Sequence, residues 1–243
     1  MIALEIQQAK KWFGGVRAVN GFTVRFEKGK VTSLIGPNGA GKSTIVDLMS
    51  GVQQMDSGSI RMLGTNIKTV RAHDMKAYGL TRTFQSVQVF EQMSVLDNIL
   101  VVLTERGVLQ SIFEKHKDFH VKQARVVLER VQLWEKRDEL AEDLSYGQRK
   151  LLEIARVLAM DTDIILFDEP FAGLFKEMVA TVADIIKELR AAGKTVLLIE
   201  HNMKIIRDLS DHVVVVDAGE FLAEGTPEKV LNRKDVIEAY LGE

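Results

Sequence analysis

The run Gly36-Pro37-Asn38-Gly39-Ala40-Gly41-Lys42-Ser43 fills every defined position of the pattern G-x-x-x-x-G-K-[ST]. No other stretch constrains the fold so tightly, because the pattern works only between a strand and a helix. Both flanks agree. Val31 to Ile35 reads as an apolar strand, and Thr44 to Met49 reads as a helix. Glycines let the backbone curl until successive N–H groups point inward at anionic oxygens. The N-terminal end of the following helix adds positive potential. Gly36, Asn38, Gly39 and Gly41 therefore build a cradle for a polyphosphate. Lys42 reaches the β- and γ-phosphates, and the Ser43 hydroxyl, with Thr44 beside it at the helix start, is placed to ligate Mg2+. The motif predicts a nucleoside triphosphate as ligand.

The rest of the chain narrows what surrounds that cradle. A length of 243 residues suits one large α/β domain or one domain with an inserted subdomain. A hydrophobic content of 46% is enough for a substantial core. The net charge of −2 and a pI near 6.3 lack the basic stripe of a nucleic-acid binder, so no nucleic-acid partner is expected. Cysteine is absent, which excludes disulfides and cysteine-based metal or redox sites and suits a reducing cytosol. No apolar run approaches the length of a membrane span, so direct membrane insertion is not expected. Met1 to Gln7 alternates like a strand and lacks the basic head and apolar block of a secretory signal.

Along the chain, residues 2–34 read as short alternating strands around the turn Glu27-Lys28-Gly29-Lys30. Further strands are predicted at Ser59 to Met62 and Leu80 to Phe84. Residues 86–159 then read as an inserted helical subdomain; Val121, Ala124, Val127, Leu128, Val131 and Leu133 keep mostly helical spacing. From 160 a βα rhythm resumes. Strands fall at 164–167, 195–199 and 213–216, and a helix at 177–191 ends at Gly193. The expected architecture is a mainly parallel sheet in an α/β core formed by 1–85 and 160–243, with an antiparallel β subdomain near the N-terminus.

Two further clusters bear chemistry. The strand Ile164-Ile165-Leu166-Phe167 runs into Asp168-Glu169-Pro170, placing acids at a strand's carboxyl end, where ligands of open α/β sheets gather. Asp168 is suited to hold Mg2+, and Glu169 to polarise the water that attacks the γ-phosphorus. Leu144-Ser145-Tyr146-Gly147-Gln148 opens an apolar-periodic helix, with Ser145 and Gln148 spaced as a capping box. A cap accounts for Ser145 and Gln148. It does not account for Gly147, which is poor in a first turn unless backbone must approach something closely. A capped helix start with a glycine is also an anion site.

With these motifs in this order, the chain resembles the ATP-binding cassette ATPases, the nucleotide-binding subunits of ABC transporters, over essentially its whole length. The resemblance implies a P-loop NTPase (RecA-like) core, ATP and Mg2+ as ligands, and a head-to-tail pair with a second ATPase subunit. In such a pair Ser145, Gly147 and Gln148 meet the nucleotide held by the other subunit. It implies transmembrane permease subunits as partners, and a cytoplasmic chain held peripherally on the inner face of the membrane through them. It gives Gln85 a place near Mg2+, His201 a place at the γ-phosphate, and Phe13 a place under the adenine, with Trp12 as the competing ring. Core packing of either ring also stays open.

Phe13-Gly14-Gly15-Val16-Arg17-Ala18-Val19, Asp168 to Leu174, Glu200-His201-Asn202-Met203 and the ending Glu238 to Glu243 are most similar to the ATPases of branched-chain amino acid importers. Urea-type importer and lipopolysaccharide-export ATPases share much of this. Two departures stand out: Tyr146 replaces the first glycine of the usual Leu-Ser-Gly-Gly-Gln, and Phe175 replaces the Asp or Asn that usually ends the segment after Pro170. A phenylalanine side chain cannot cap the next helix. An alternative is therefore an ATP-binding subunit that hydrolyses weakly.

Overall fold

The computed structural model describes residues 1–67, 69–104 and 117–241. Two compact units emerge: residues 1–82, 162–169 and 186–243 form one, and residues 83–161 and 170–185 form the other. Pro170 to Ile185 thus group with the helical segment, a membership that the strand-and-helix rhythm of the sequence does not reveal.

The first unit carries two sheets. In the antiparallel one, β1 (Ile2–Phe13) lies between β2 (Val16–Glu27) and β4 (Ser57–Met62), and β5 (Thr65–Ile67) adds an edge. β1 and β2 are long strands, not the short ones expected. Bulges at Ile6 to Ala9, where Gln8 takes a positive φ, break the apolar alternation without ending the pairing. The second sheet has the order β10-β9-β3-β8-β7-β6. Its members are β3 (Val31–Ile35), β6 (Leu80–Arg82), β7 (Ile164–Asp168), β8 (Thr195–Ile199), β9 (His212–Asp217) and β10 (Glu220–Gly225). All neighbours are parallel except β10, which returns antiparallel to β9. β6 stops at Arg82, two residues short of the expected end.

The parallel strands are buried on both faces, and their side chains alternate between two cores. Leu34, Val214 and Val216 join α1 (Lys42–Met49) and the antiparallel sheet, where Ile45, Val46, Leu48 and Met49 are buried against Leu4, Phe22 and Phe26. Ile35, Val213 and Val215 face the other way. They pack with Ile206 of α6 (Met203–Leu209), Val230 of α7 (Pro227–Val230) and Val236 of α8 (Lys234–Leu241). The numbering runs through α2 (Val95–Leu103), α3 (Lys117–Arg130), α4 (Tyr146–Ala159) and α5 (Lys176–Ala191).

In the second unit α2, α3 and α4 pack on one another. Val95, Ile99, Ala124, Leu128, Leu152, Ile154 and Ala155 are buried there. Its described residues hold no strand beyond an isolated bridge between Ser94 and Leu140. α5 ends as its sequence predicts: Gly193 N–H donates to Arg190 O and Lys194 N–H to Leu189 O, the paired closure of a Schellman motif.

Candidate nucleotide-binding and catalytic site

The loop between β3 and α1 has the geometry its glycines imply. Gly36 (φ 155°) leaves no room for a side chain, since a Cβ would fall 2.0 Å from the Val216 carbonyl oxygen. Gly41 (φ 94°) sits in the left-handed region, and a Cβ there would fall 2.5 Å from the carbonyl oxygen of Ala18 on β2. Gly41 is also the N-cap of α1, and no side chain caps that end. The first amides of the helix are therefore left without the side-chain acceptor that most helix starts provide. Asn38 and Gly39 of the loop and Ser43 of α1 are exposed. Lys42 Nζ folds over the loop, donating to the carbonyls of Gly36 (2.7 Å) and Pro37 (2.9 Å). Burial lowers the Lys42 pKa, and Glu169 and Asp168 oppose that shift. The Gly36 N–H donates to the Tyr240 hydroxyl of α8 at 2.8 Å.

Strands β3, β8 and β7 are consecutive in the sheet, and their carboxyl ends present Lys42, His201 and Asp168-Glu169 along one edge. Asp168 is buried and paired with Arg82 Nη2 at 3.0 Å. Arg82 Nη1 also reaches Asp47 Oδ1 and Ser50 Oγ of α1, each at 2.7 Å. Burial raises the Asp168 pKa, with Arg82 pulling it back and Glu169 pushing it further. Glu169 has φ 48°, a left-handed conformation that costs a non-glycine residue energy and recurs at functional sites. Its N–H donates to Ile199 O at 3.0 Å, which holds the turn against β8. Its Oε1 stands 3.6 Å from His201 Nδ1, close enough for charge to matter but too long for a hydrogen bond. The buried Glu200 carboxylate accepts from the His201 and Asn202 N–H groups at 2.9 and 3.1 Å. Asn202 in turn caps α6.

Phe13 and Trp12 lie at the end of β1 and are 44% and 39% exposed, so neither ring is spent on the core. Lys11 Nζ stands 5.4 Å from the Phe13 ring centroid. Thr44 lies in the first turn of α1. Among the described residues no three His, Cys, Asp or Glu side chains cluster as a protein metal cage. Ser43 Oγ and the Asp168 carboxylate are oxygen donors of the hard kind that Mg2+ takes.

In the second unit Ser145, Gly147 and Gln148 form the start of α4 with a complete capping box: Gln148 N–H donates to Ser145 Oγ and Ser145 N–H to Gln148 Oε1. A Cβ at Gly147 would come 2.7 Å from Met178 Sδ, an atom far out on a flexible side chain that can give way. Gln85 is exposed in the bend after β6. Phe175 is 72% exposed, and its carbonyl accepts the N–H of Val179. Sequence reasoning did not find Arg82, Glu200 or Tyr240. Their partners are distant in the chain or are backbone groups, and no local motif marks them.

The family described as ABC transporter matches residues 19–172, spanning the loop, the α4 start and the Asp168-Glu169 pair. The chain belongs to the ABC transporter family. It is an ATPase of the ATP-binding cassette type, with the α/β fold of that class. The family described as Branched-chain amino acid ATP-binding cassette transporter matches residues 222–243, of which 242 and 243 lie outside the described residues. The cassette is 39% identical over 249 residues to the high-affinity branched-chain amino acid transport ATP-binding protein BraF of Pseudomonas aeruginosa, covering 99% of this chain and 98% of the relative. LivG of Salmonella typhimurium, a protein of the same description, is 37% identical over 240 residues, covering 95% of this chain and 94% of the relative. The crystal structure of the ADP conformation of MJ1267, an ATP-binding cassette of an ABC transporter, superposes with a TM-score of 0.86 at 34% identity, covering 100% of both chains.

Proposed function

We propose that this cassette is the ATP-driven motor of a branched-chain amino acid importer, acting as one of two ATPase subunits bound to membrane-spanning permease subunits. One observation carries the reading: Lys42, Asp168, Glu169 and His201 sit at the carboxyl ends of three adjacent strands, in a chain similar over nearly its whole length to branched-chain amino acid transport ATP-binding proteins. No described helix is long and apolar enough to cross a membrane, so on this reading the cassette reaches the inner face of the membrane through its permease partners.

Gly36, Asn38, Gly39, Gly41, Lys42, Ser43 and Thr44 hold the triphosphate, and Phe13 stacks on the base. Ser43 and Asp168 would hold Mg2+, which when bound would neutralise charge on the phosphates, and Gln85 would keep the role its family position implies. Arg82 holds Asp168 in one orientation by a bond from Nη2. Glu169 orients a water toward the γ-phosphorus and accepts its proton as the new O–P bond forms and the bond to the β,γ-bridging oxygen breaks, releasing ADP and phosphate, while His201 steadies the charge beside it. Lys42 offsets the charge accumulating on the transferred group. Ser145, Gly147 and Gln148 engage the nucleotide of the second subunit.

The test is Glu169→Gln. Cells carrying it as their only copy lose uptake of leucine, isoleucine and valine, and the purified protein's turnover drops by about 10²–10⁴-fold, the usual worth of a general base. The same protein still dimerises when given ATP. Undiminished turnover refutes the role of Glu169. Undiminished uptake of those amino acids, with turnover lost, refutes the substrate.

A further inference from the structure

The backbone around Gln85 is irregular, and buried side chains satisfy its polar groups in place of a neighbouring strand. The Glu153 side chain of α4, in a residue only 3% exposed, accepts through Oε1 from the N–H of Phe84 (3.1 Å) and of Gln88 (3.3 Å), bracketing Gln85 from both sides. One turn on, Arg156 Nη1 donates to the Gln88 carbonyl, and its guanidinium stacks 4.8 Å from the Phe90 ring centroid. Asn98 of α2 then takes both backbone groups of Phe90, accepting from N–H and donating to C=O at 2.9 Å each. Burying an acid and a base here is costly, and the cost is only partly relieved. Glu153 Oε2 and Arg156 Nε have no hydrogen-bond partner among the described residues. A loop that needed only order is held more cheaply by an amide such as Asn98.

We infer that Glu153 and Arg156 are positioning residues for Gln85, fastening loop 84–90 to α4 so that the loop moves with the helix that begins at Ser145 and Gln148. The geometry is one-sided. Both clamps come from α4, the helix that Ser145 caps and whose first turn carries Gly147 and Gln148. A helix is stiff over the roughly 16 Å that separate Ser145 from Arg156 at 1.5 Å per residue, so a displacement of the loop is passed to that first turn without loss. Burial also pushes the Glu153 carboxyl up to about 7, so the charge at this clamp changes within the neutral range. Lys150 and Arg156 on α4 are the cations that oppose that shift. The inference rests on the proposed reading in which Gln85 serves nucleotide turnover.

The experiment uses the purified full-length chain and residue-resolved amide exchange, with ATP turnover measured in parallel. Glu153→Ala removes the acceptor. Exchange at Phe84 and Gln88 then quickens by about tenfold or more, as expected for a lost buried hydrogen bond, and kcat falls while the KM for ATP holds. Glu153→Gln keeps an oxygen at the same place and restores both slow exchange and kcat. Unchanged exchange in Glu153→Ala overturns the clamp. Faster exchange with unchanged kcat, or an amide variant that fails to rescue, overturns the positioning role. If Glu153→Ala does not fold, Arg156→Gln decides: it frees the Gln88 carbonyl, and unaltered turnover counts against the inference. Gln85→Ala separates the two layers, because full turnover there refutes the role of Gln85 while the exchange result still stands or falls alone.

Discussion

Two helix starts in this chain meet the same physical problem and solve it in opposite ways. Each has four N–H groups with no partner inside the helix. At α4 the chain supplies its own acceptors, with Ser145 and Gln148 exchanging both bonds of a capping box. At α1 it supplies none. The N-cap is Gly41, which has no side chain, and the helix is steadied from its other end by Arg82 bonds to Asp47 and Ser50. A helix start that caps itself is stable without company, and a ligand must share or displace its bonds. A start left bare and braced from behind is arranged to receive an anion.

The contrast breaks most severely at Gly41. Gly41→Ala places a methyl 2.5 Å from a backbone oxygen in a left-handed conformation, so no flexible neighbour can yield. We expect a cost beyond about 4 kcal/mol at that turn. Nucleotide affinity should vanish in a titration with a fluorescent ATP analogue. Binding that survives the substitution shows that the bare helix start is not the anion site.

Second in size is Arg82→Gln, which leaves Asp168 and Asp47 without their cation in a buried setting. The loss should be roughly 3–5 kcal/mol in urea unfolding, as when one partner of a buried pair is removed. It tests whether α1 is braced from its rear. A change under about 1 kcal/mol, typical of a surface pair, removes that half of the comparison.

How much of this was legible in the sequence divides along similar lines. Motifs whose chemistry depends on near neighbours were readable: the cradle at 36–43, the capping box at 145–148, and the acids that follow an apolar strand. The doubly buried strands were readable because their apolar runs are continuous. β6 was overestimated because Thr83 and Phe84 look like strand residues, whereas the Phe84 N–H is taken by Glu153 instead of a sheet neighbour. β10 was missed although Gly219 after Val213 to Asp217 was a turn signal in the sequence; in the structure Ala218 and Gly219 both take positive φ, the geometry of a tight hairpin. Arg82 and Tyr240 could not be read, since Tyr240 acts on a residue 204 positions away. Gly147 was read as a close backbone approach, and the structure adds Met178 Sδ beside it, a contact that no motif contains.

A third prediction sharpens the picture on the α4 side. Because the Glu153 pKa is raised to about 7 in the folded state from an ordinary 4.5, the folded chain keeps a proton that the unfolded chain has released. Its contribution is complete below 4.5 and is lost as pH rises through about 7, a fall of roughly 3 kcal/mol. Urea unfolding of the wild type and of Glu153→Gln at about pH 5 and about pH 8 isolates it, since the amide variant lacks this slope. Equal slopes in both proteins place the titration elsewhere.

The smallest effect is expected at Ser145→Ala, about 1 kcal/mol for a lost N-cap. It should slow turnover by acting on the paired state while leaving the affinity of a single chain for ATP unaltered. Weakened ATP binding by the lone chain would mean that the two helix starts are not independent.

The bond from Gly36 to Tyr240 gives α8 a mechanical duty. The Tyr240 hydroxyl props the first residue of the nucleotide loop, so the cradle is finished only when α8 has docked. A product lacking α8 would keep the motifs at 36–43, 144–148 and 168–170 and still hold its ligand loosely.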